Sequence, residues 1–361
     1  MSQQHGGNLY NASQALQIPM AALLDFSANL NPLGMPDALQ DIYKNGIHTL
    51  LHYPDPDYTV LRAQLSQYAG VPVPCVLEGN GATESIFLLF EVLKPKRVLM
   101  PVPTFSEYGQ AIERVGGVVV PFVLCEEDSF QVPFEQLKPL LHTVDCVMLC
   151  NPNNPTSQLL DKQALLSFIA DAKALGVRVV VDEAFIELTE QGVGNSTAPY
   201  LSQHDNLYII RALTKIFAIP GVRLGYVLAK ADIIEKMKAR KMCWSVNGLA
   251  VLTGNYLSQC QAFLAQTRAC VTTEKNWLFE QIGQIAALKP ITPATNFILV
   301  KVINDNLNVQ QLHTTMARQG ILIRNASNFD GLNEQFFRVA VRQRHENLTL
   351  LQTLKRVLFS R

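Results

Sequence analysis

Between residues 76 and 210 the chain alternates short, continuous apolar runs with stretches of helical spacing. The runs cover 76–77, 97–100, 118–120, 144–149, 177–181 and 206–210, and the helical stretches include 86–93, 106–115 and 162–175. A strand that is apolar at every position has both faces buried. The pattern therefore predicts a mostly parallel sheet with helices on both faces, an α/β fold. Beyond about residue 230 the rhythm changes. Long helical segments at 232–241, 247–265 and 271–288 precede strands at 296–302, 321–324 and 336–342, with helices at 309–319 and from 345 onward. This mixture predicts a smaller α+β domain reached through the long helices. The expected boundaries are an N-terminal arm with part of the small domain over 1–45, a large domain over 46–245, and bridging helices with the C-terminal small domain over 246–361.

In open α/β sheets ligands bind beyond the carboxyl ends of the strands, and the polar motifs of this chain collect there. Phe105 follows the run at 97–100, and Asn151-Pro152-Asn153-Asn154-Pro155-Thr156 follows 144–149. Asp182-Glu183-Ala184-Phe185 follows 177–181, and Lys215 follows 206–210 with no other charge between Arg211 and Arg223. A lysine in apolar surroundings loses hydration, so its neutral amine is easier to populate, as an imine-forming nucleophile requires. A single lysine after a strand is ordinarily a surface group. Several motifs arriving at one sheet edge point instead to a shared site.

Two further stretches carry candidate chemistry. Glu78-Gly79-Asn80-Gly81-Ala82-Thr83 joins a strand to an apolar helix. Free amides at such a helix start, with the helix dipole, make an anion site that glycines open to close approach. Glu84 stands where a dinucleotide-binding loop needs its third glycine, which disfavours a Rossmann dehydrogenase. The arm holds two loop-forming clusters, His5-Gly6-Gly7-Asn8 and Asp25 to Gly34, dense in Asn, Ser, Gly and Pro. In the closing strand at 336–342, alternation puts Arg338, Ala340 and Arg342 on one face.

Composition removes several classes of function. Lys plus Arg and Asp plus Glu both number 30, so charge balance gives no electrostatic ground for a nucleic-acid or acidic-membrane partner. No apolar run reaches the roughly 20 residues that span a bilayer, and the first residues lack the pattern of a secretory signal. The seven cysteines form no CxxC pair and no metal-ligand spacing, so they read as thiols of a reducing compartment. A cytoplasmic location is expected.

Asn154-Pro155-Thr156, Asp182-Glu183-Ala184, Lys215 and Arg223, in this order and spacing, resemble the fold-type I pyridoxal-phosphate enzymes of the aspartate-aminotransferase-like superfamily. The resemblance covers essentially the whole chain. It implies a mixed, mostly parallel sheet of the seven-stranded type with helices on both faces, plus the smaller α+β domain. It also implies pyridoxal 5′-phosphate as cofactor, with Lys215 bonding its aldehyde carbon and Asp182 pairing with its ring nitrogen. Asn154 would donate to the ring's phenolic oxygen, and Phe105, rather than Tyr108, would lie against the ring. Gly81, Ala82 and Thr83, with Arg223, would hold the cofactor phosphate. Tyr53 matches a tyrosine that reaches that phosphate from a neighbouring subunit, which implies a homodimer with shared sites. Two positions depart from the wider pattern: Phe185 replaces a tyrosine, and Ala212 stands where many relatives carry Ser or Thr, with Thr214 two residues on.

Within the superfamily, the arm motifs, Phe217-Ala-Ile-Pro-Gly221 and Trp244-Ser-Val-Asn247 resemble the branch that decarboxylates L-threonine O-3-phosphate for cobalamin synthesis. That branch borders the histidinol-phosphate aminotransferases, which are the alternative. The implied substrate is a small phosphorylated amino acid, met by His5, Asn29, Asn154, Arg324 and Arg338. Which arginine would take the phosphate and which the carboxylate stays open.

Overall fold

The computed structural model describes residues 6–303 and 307–359. Seven strands form the large sheet: β1 (Val76–Asn80), β2 (Arg97–Val102), β3 (Val118–Val123), β4 (Cys146–Cys150), β5 (Arg178–Asp182), β6 (Leu207–Ala212) and β7 (Leu224–Leu228). Their spatial order is β1-β7-β6-β5-β4-β2-β3. From β6 through β5, β4 and β2 to β3 every neighbour is parallel, whereas β7 runs antiparallel to both β6 and β1. This is the mixed, mostly parallel seven-stranded sheet expected of the resemblance.

The continuous apolar runs are explained by burial on two sides. In β5, Val179 and Val181 pack into the core on one face, while Val180 packs into the core on the other. All three are fully buried, each contributing roughly 1.5–3 kcal/mol by leaving water. Helix Lys162–Ala174, capped by Asp161 accepting from the Ala164 amide, covers the first face. Helix Gly81–Leu93 covers the second. Because β1, β2, β4, β5 and β6 share a direction, their carboxyl ends fall on one edge. Reversed β7 begins there, which brings Arg223 to the same edge.

A second sheet contains β8 (Leu288–Pro290), β9 (Phe297–Val302), β10 (Arg324–Asn325) and β11 (Phe336–Ala340), all antiparallel, in the order β10-β11-β9-β8. Helices Gln261–Gly283, Val309–Arg318 and Arg344–Phe359 enclose its core. The arm joins this unit directly, as Leu24–Asp25 pairs in parallel with Ile321–Leu322. Among the described residues no helix is long and apolar enough to cross a membrane.

Two local expectations differ from the structure. The helical stretches at 247–265 and 271–288 divide at Ser258-Gln259-Cys260, giving Gly248–Leu257 and one 23-residue helix, Gln261–Gly283. Nothing between 261 and 282 is Gly or Pro, and Thr267, in mid-helix, accepts a hydrogen bond from Asn31 of the arm. The single strand expected at 321–324 is two. Residues 321–322 pair with the arm and 324–325 with β11, so the chain changes sheets at Ile323 and Arg324 lands opposite Arg338.

Candidate active site

A cavity of about 480 Å³ opens where the carboxyl edge of the large sheet meets the arm and the small sheet. Asn29, Ala82, Thr83, Phe105, Asn154, Asp182, Thr214, Lys215, Arg223, Arg324 and Arg338 all line it. These are eleven of the residues singled out from sequence. Gly81 lies just behind the wall, Tyr53 lies elsewhere, and His5 falls outside the described residues.

Lys215 sits on the single helical turn Leu213–Ile216 that follows β6, half-buried with its open side on the cavity. Burial, then the Arg338 and Arg223 cations, push its amine down to about 8, with Asp182 pulling the other way. Asn31 clamps this turn: its backbone N–H donates to the Lys215 carbonyl at 3.1 Å and its side chain to the Ile216 carbonyl at 2.6 Å.

Asp182 ends β5 and is buried. Oδ1 accepts from the Ala184 amide at 2.9 Å and Oδ2 from the Tyr108 hydroxyl at 2.8 Å. Burial pushes its carboxyl up to about 6, against both hydrogen bonds. An acid so placed gains from a cationic partner.

At the start of helix Gly81–Leu93, Gly81 has φ +75, and a Cβ there would stand 2.7 Å from Arg223 Nη2. The missing side chain is what lets that guanidinium lie against the Gly81 backbone, beside the first turn that carries the Ala82 and Thr83 amides. Gly225 in β7 allows an equally close approach, since a Cβ on it would stand 2.5 Å from the Ala82 nitrogen. Thr214, buried on the next strand end, completes a cradle of hydroxyl, amides and guanidinium.

Arg324 and Arg338 are register partners across β10 and β11, and both are buried. Like charges directly opposed on a sheet are destabilising. Arg338 donates to Asn154 Oδ1 and, at 2.8 Å, to the Ser27 carbonyl, while its Nε is buried with no hydrogen bond among the described residues. Burial and Arg324 both disfavour its charge. Arg324 Nη2 donates to Asn328 Oδ1 at 2.8 Å, and the guanidinium lies 5.2 Å from the Phe329 ring centroid. Two cations forced together at the end of a cavity make a receptor for an anion. The Arg338 contact also orients Asn154: with Oδ1 accepting, Nδ2 remains as a donor. Asn29 is buried nearby, its Oδ1 without a partner among the described residues.

Phe105 borders the cavity with its ring edge-on to Tyr108, 5.5 Å between centroids. Tyr108 is buried and serves Asp182 through its hydroxyl, a contact the sequence reading did not assign. The two residues are three apart at a helix start, a spacing that brings side chains to one face. Tyr53 is 80% exposed and stacks on Trp244 at 4.6 Å, so it points away from its own chain's cavity. Also unassigned was a buried network beneath the site: Arg211 Nε donates to Glu183 at 2.8 Å, Nη1 to Glu187 at 3.2 Å and Nη2 to Ser196 at 2.7 Å. An arginine inside an otherwise apolar strand, with glutamates on the neighbouring strand end, was its signal.

Comparison with known proteins bears on this geometry. Residues 21–354 match the family described as aminotransferase class I and II, and the chain belongs to that pyridoxal-phosphate-dependent family. Threonine-phosphate decarboxylase of Salmonella typhimurium is 37% identical, over 98% of this chain and 96% of that protein. The adenosylcobalamin biosynthesis bifunctional protein CobDQ of Leptospira interrogans is 30% identical, over 99% of this chain and 41% of its own length. The crystal structure of histidinol-phosphate aminotransferase from Clostridium acetobutylicum superposes with a TM-score of 0.86 at 30% identity, over 93% of this chain and 99% of that one.

The residues present fit pyridoxal phosphate on three counts. A buried acid awaits a cation, a glycine-opened cradle suits a phosphate, and Asn154 keeps a donor free beside a desolvated lysine.

Proposed function

We propose that this chain decarboxylates L-threonine O-3-phosphate to (R)-1-amino-2-propanol O-2-phosphate and carbon dioxide, as a pyridoxal-phosphate enzyme of cobalamin synthesis. The observation that carries a doubly anionic amino-acid substrate is the opposed pair of buried arginines, Arg324 and Arg338, on the same cavity as Lys215. The full-length relationship to a threonine-phosphate decarboxylase selects the substrate.

When bound, the cofactor would supply an electron sink that weakens one of the bonds to the substrate Cα. Asp182 would hold the ring nitrogen's proton, Asn154 Nδ2 would donate to the phenolic oxygen, and Phe105 would cover the ring. The Ala82 and Thr83 amides, Thr214 and Arg223 would bind the cofactor phosphate. Phe185, with its ring centroid 5.9 Å from Lys215 Nζ, offers no hydroxyl there, so Asn154 acts alone at the phenolic oxygen. Arg324, Arg338 and Asn29, with His5 of the arm as a further candidate, would divide the substrate's phosphate and carboxylate between them and so choose which Cα bond is weakened. Lys215 Nζ would deliver the proton that replaces the departing carboxylate on Cα.

The same reading has two copies of the chain forming a dimer, with Tyr53 of one reaching the cofactor phosphate of the other. The outward aim and exposure of Tyr53 support this. The seven free cysteines suit a cytoplasmic location.

The test is carbon dioxide release from L-threonine O-3-phosphate by the purified protein with pyridoxal phosphate and no keto acid. Glutamate-dependent transamination of imidazole-acetol phosphate, with no carbon dioxide released from threonine phosphate, would overturn the proposal in favour of a histidinol-phosphate aminotransferase.

A further inference from the structure

We propose that Tyr108 is a positioning residue for the cofactor's ring nitrogen, acting through the Asp182 carboxylate that it holds and orients. The inference rests on the reading above, in which Asp182 faces that nitrogen.

The geometry carries it. Asp182 has two oxygens, and the structure gives each a donor of a different kind. The Ala184 amide on Oδ1 is backbone and part of the turn that leaves β5. The Tyr108 hydroxyl on Oδ2 comes from helix Glu107–Arg114, which follows a different strand. Together they fix the carboxyl plane from two sides, so that its remaining lone pairs are directed rather than free to rotate. Tyr108 is itself fully enclosed, and burial next to Asp182 pushes its phenol well above the usual range. It therefore remains a donor throughout the working pH range.

A donor to a carboxylate favours the ionised form. Burial works against ionisation at Asp182, and so does neighbouring Glu183, while Lys215 favours it. The Cys150 thiol on β4 also faces this pair, and burial holds it neutral by pushing it up to about 12. Behind Lys215 stand Arg338 and Arg223, which disfavour the charge on that amine. Among the described residues, Tyr108 is the partner in this balance whose contribution depends on a single removable hydroxyl. Without it the carboxyl titrates higher and is partly protonated near neutral pH, and a protonated acid cannot hold a protonated ring nitrogen.

The decisive measurement is cofactor affinity against pH, without substrate, on the reconstituted protein. Wild type, Tyr108→Phe and Asp182→Asn are compared by equilibrium dialysis of pyridoxal phosphate from pH 5.5 to 9. Wild-type affinity is expected to fall on the acid side as Asp182 takes a proton. Tyr108→Phe should match wild type at pH 9 and lose affinity with a midpoint about one pH unit higher, a deficit of about threefold between the two midpoints that grows toward about tenfold below the lower one. A protein carrying 3-fluorotyrosine at 108, a stronger donor of the same shape, should move the midpoint down. Equal weakening of Tyr108→Phe at every pH would overturn the proposal in favour of simple packing, as would a curve superimposable on wild type. Asp182→Asn separates the two levels of inference: it should bind weakly with this acid limb absent. Wild-type affinity in Asp182→Asn would instead sink the assignment of Asp182, and the role of Tyr108 with it.

Discussion

The amine of Lys215 is the group whose reactivity the surrounding structure sets most directly. An ordinary lysine titrates at 10.5, and burial with two neighbouring guanidiniums brings this one to about 8. At pH 7 the neutral fraction then rises from about 0.03% to about 9%, roughly a 300-fold gain in nucleophile. The perturbation is Arg338→Met, which removes the larger of the two charge effects on the amine and raises its pKa. The assay is stopped-flow absorbance of the cofactor-free protein mixed with pyridoxal phosphate between pH 6 and 10, with pyridoxal as a phosphate-free control. The rate of covalent capture should climb about tenfold per pH unit below pH 8 and level off above it. In Arg338→Met the plateau should begin at higher pH. A wild-type rate that keeps climbing to pH 10 would refute the desolvation argument. A plateau unmoved in Arg338→Met would refute the part assigned to that arginine.

Two further outcomes are expected. Arg211→Met leaves Glu183 and Glu187 buried without their cation, so it should cost about 3–5 kcal/mol in urea or thermal unfolding, with part of the loss recovered on adding Glu183→Gln. Gly225→Ala drives a Cβ to 2.5 Å from the Ala82 nitrogen and 2.7 Å from the Gly81 carbonyl carbon, shifting the amides at the cradle. Loss of one or two of those charged hydrogen bonds should weaken cofactor binding about 10- to 100-fold, measured by dialysis, while the visible band survives at saturating cofactor.

The large sheet was legible because doubly buried strands must be apolar at every position, and runs such as 144–149 and 177–181 leave little else to choose. Its edge was legible for a related reason, since a polar motif can follow such a run only where the chain leaves the core. Helix breaks near 258–260 were not, because no Gly or Pro marks them, and the uninterrupted run to 282 holds no breaker either. The part played by Tyr108 was not legible: the sequence set it aside in favour of Phe105 as the ring contact, and its hydroxyl can be assigned only when the distance to Asp182 is known. The Arg211 network was hidden because pairing across neighbouring strands depends on register, which the apolar pattern of β5 and β6 leaves unspecified.

The contacts of Arg338 have a consequence for how the site comes into being. Its guanidinium ties Asn154, 184 residues away in sequence, to Ser27, 311 residues away. The cradle proposed for the cofactor phosphate, by contrast, draws only on segments that flank strands of the large sheet, from Gly81 to Arg223. Closing loops of such length carries an entropic cost that only a docked small unit and arm can offset. The two ends of the cavity therefore differ in robustness. Under the proposed function, a chain whose small unit is loosened should keep the surfaces that take up pyridoxal phosphate and lose the grip on substrate. Colour in such a preparation would report only that the large sheet has folded, and substrate affinity would be the more sensitive gauge of an intact molecule.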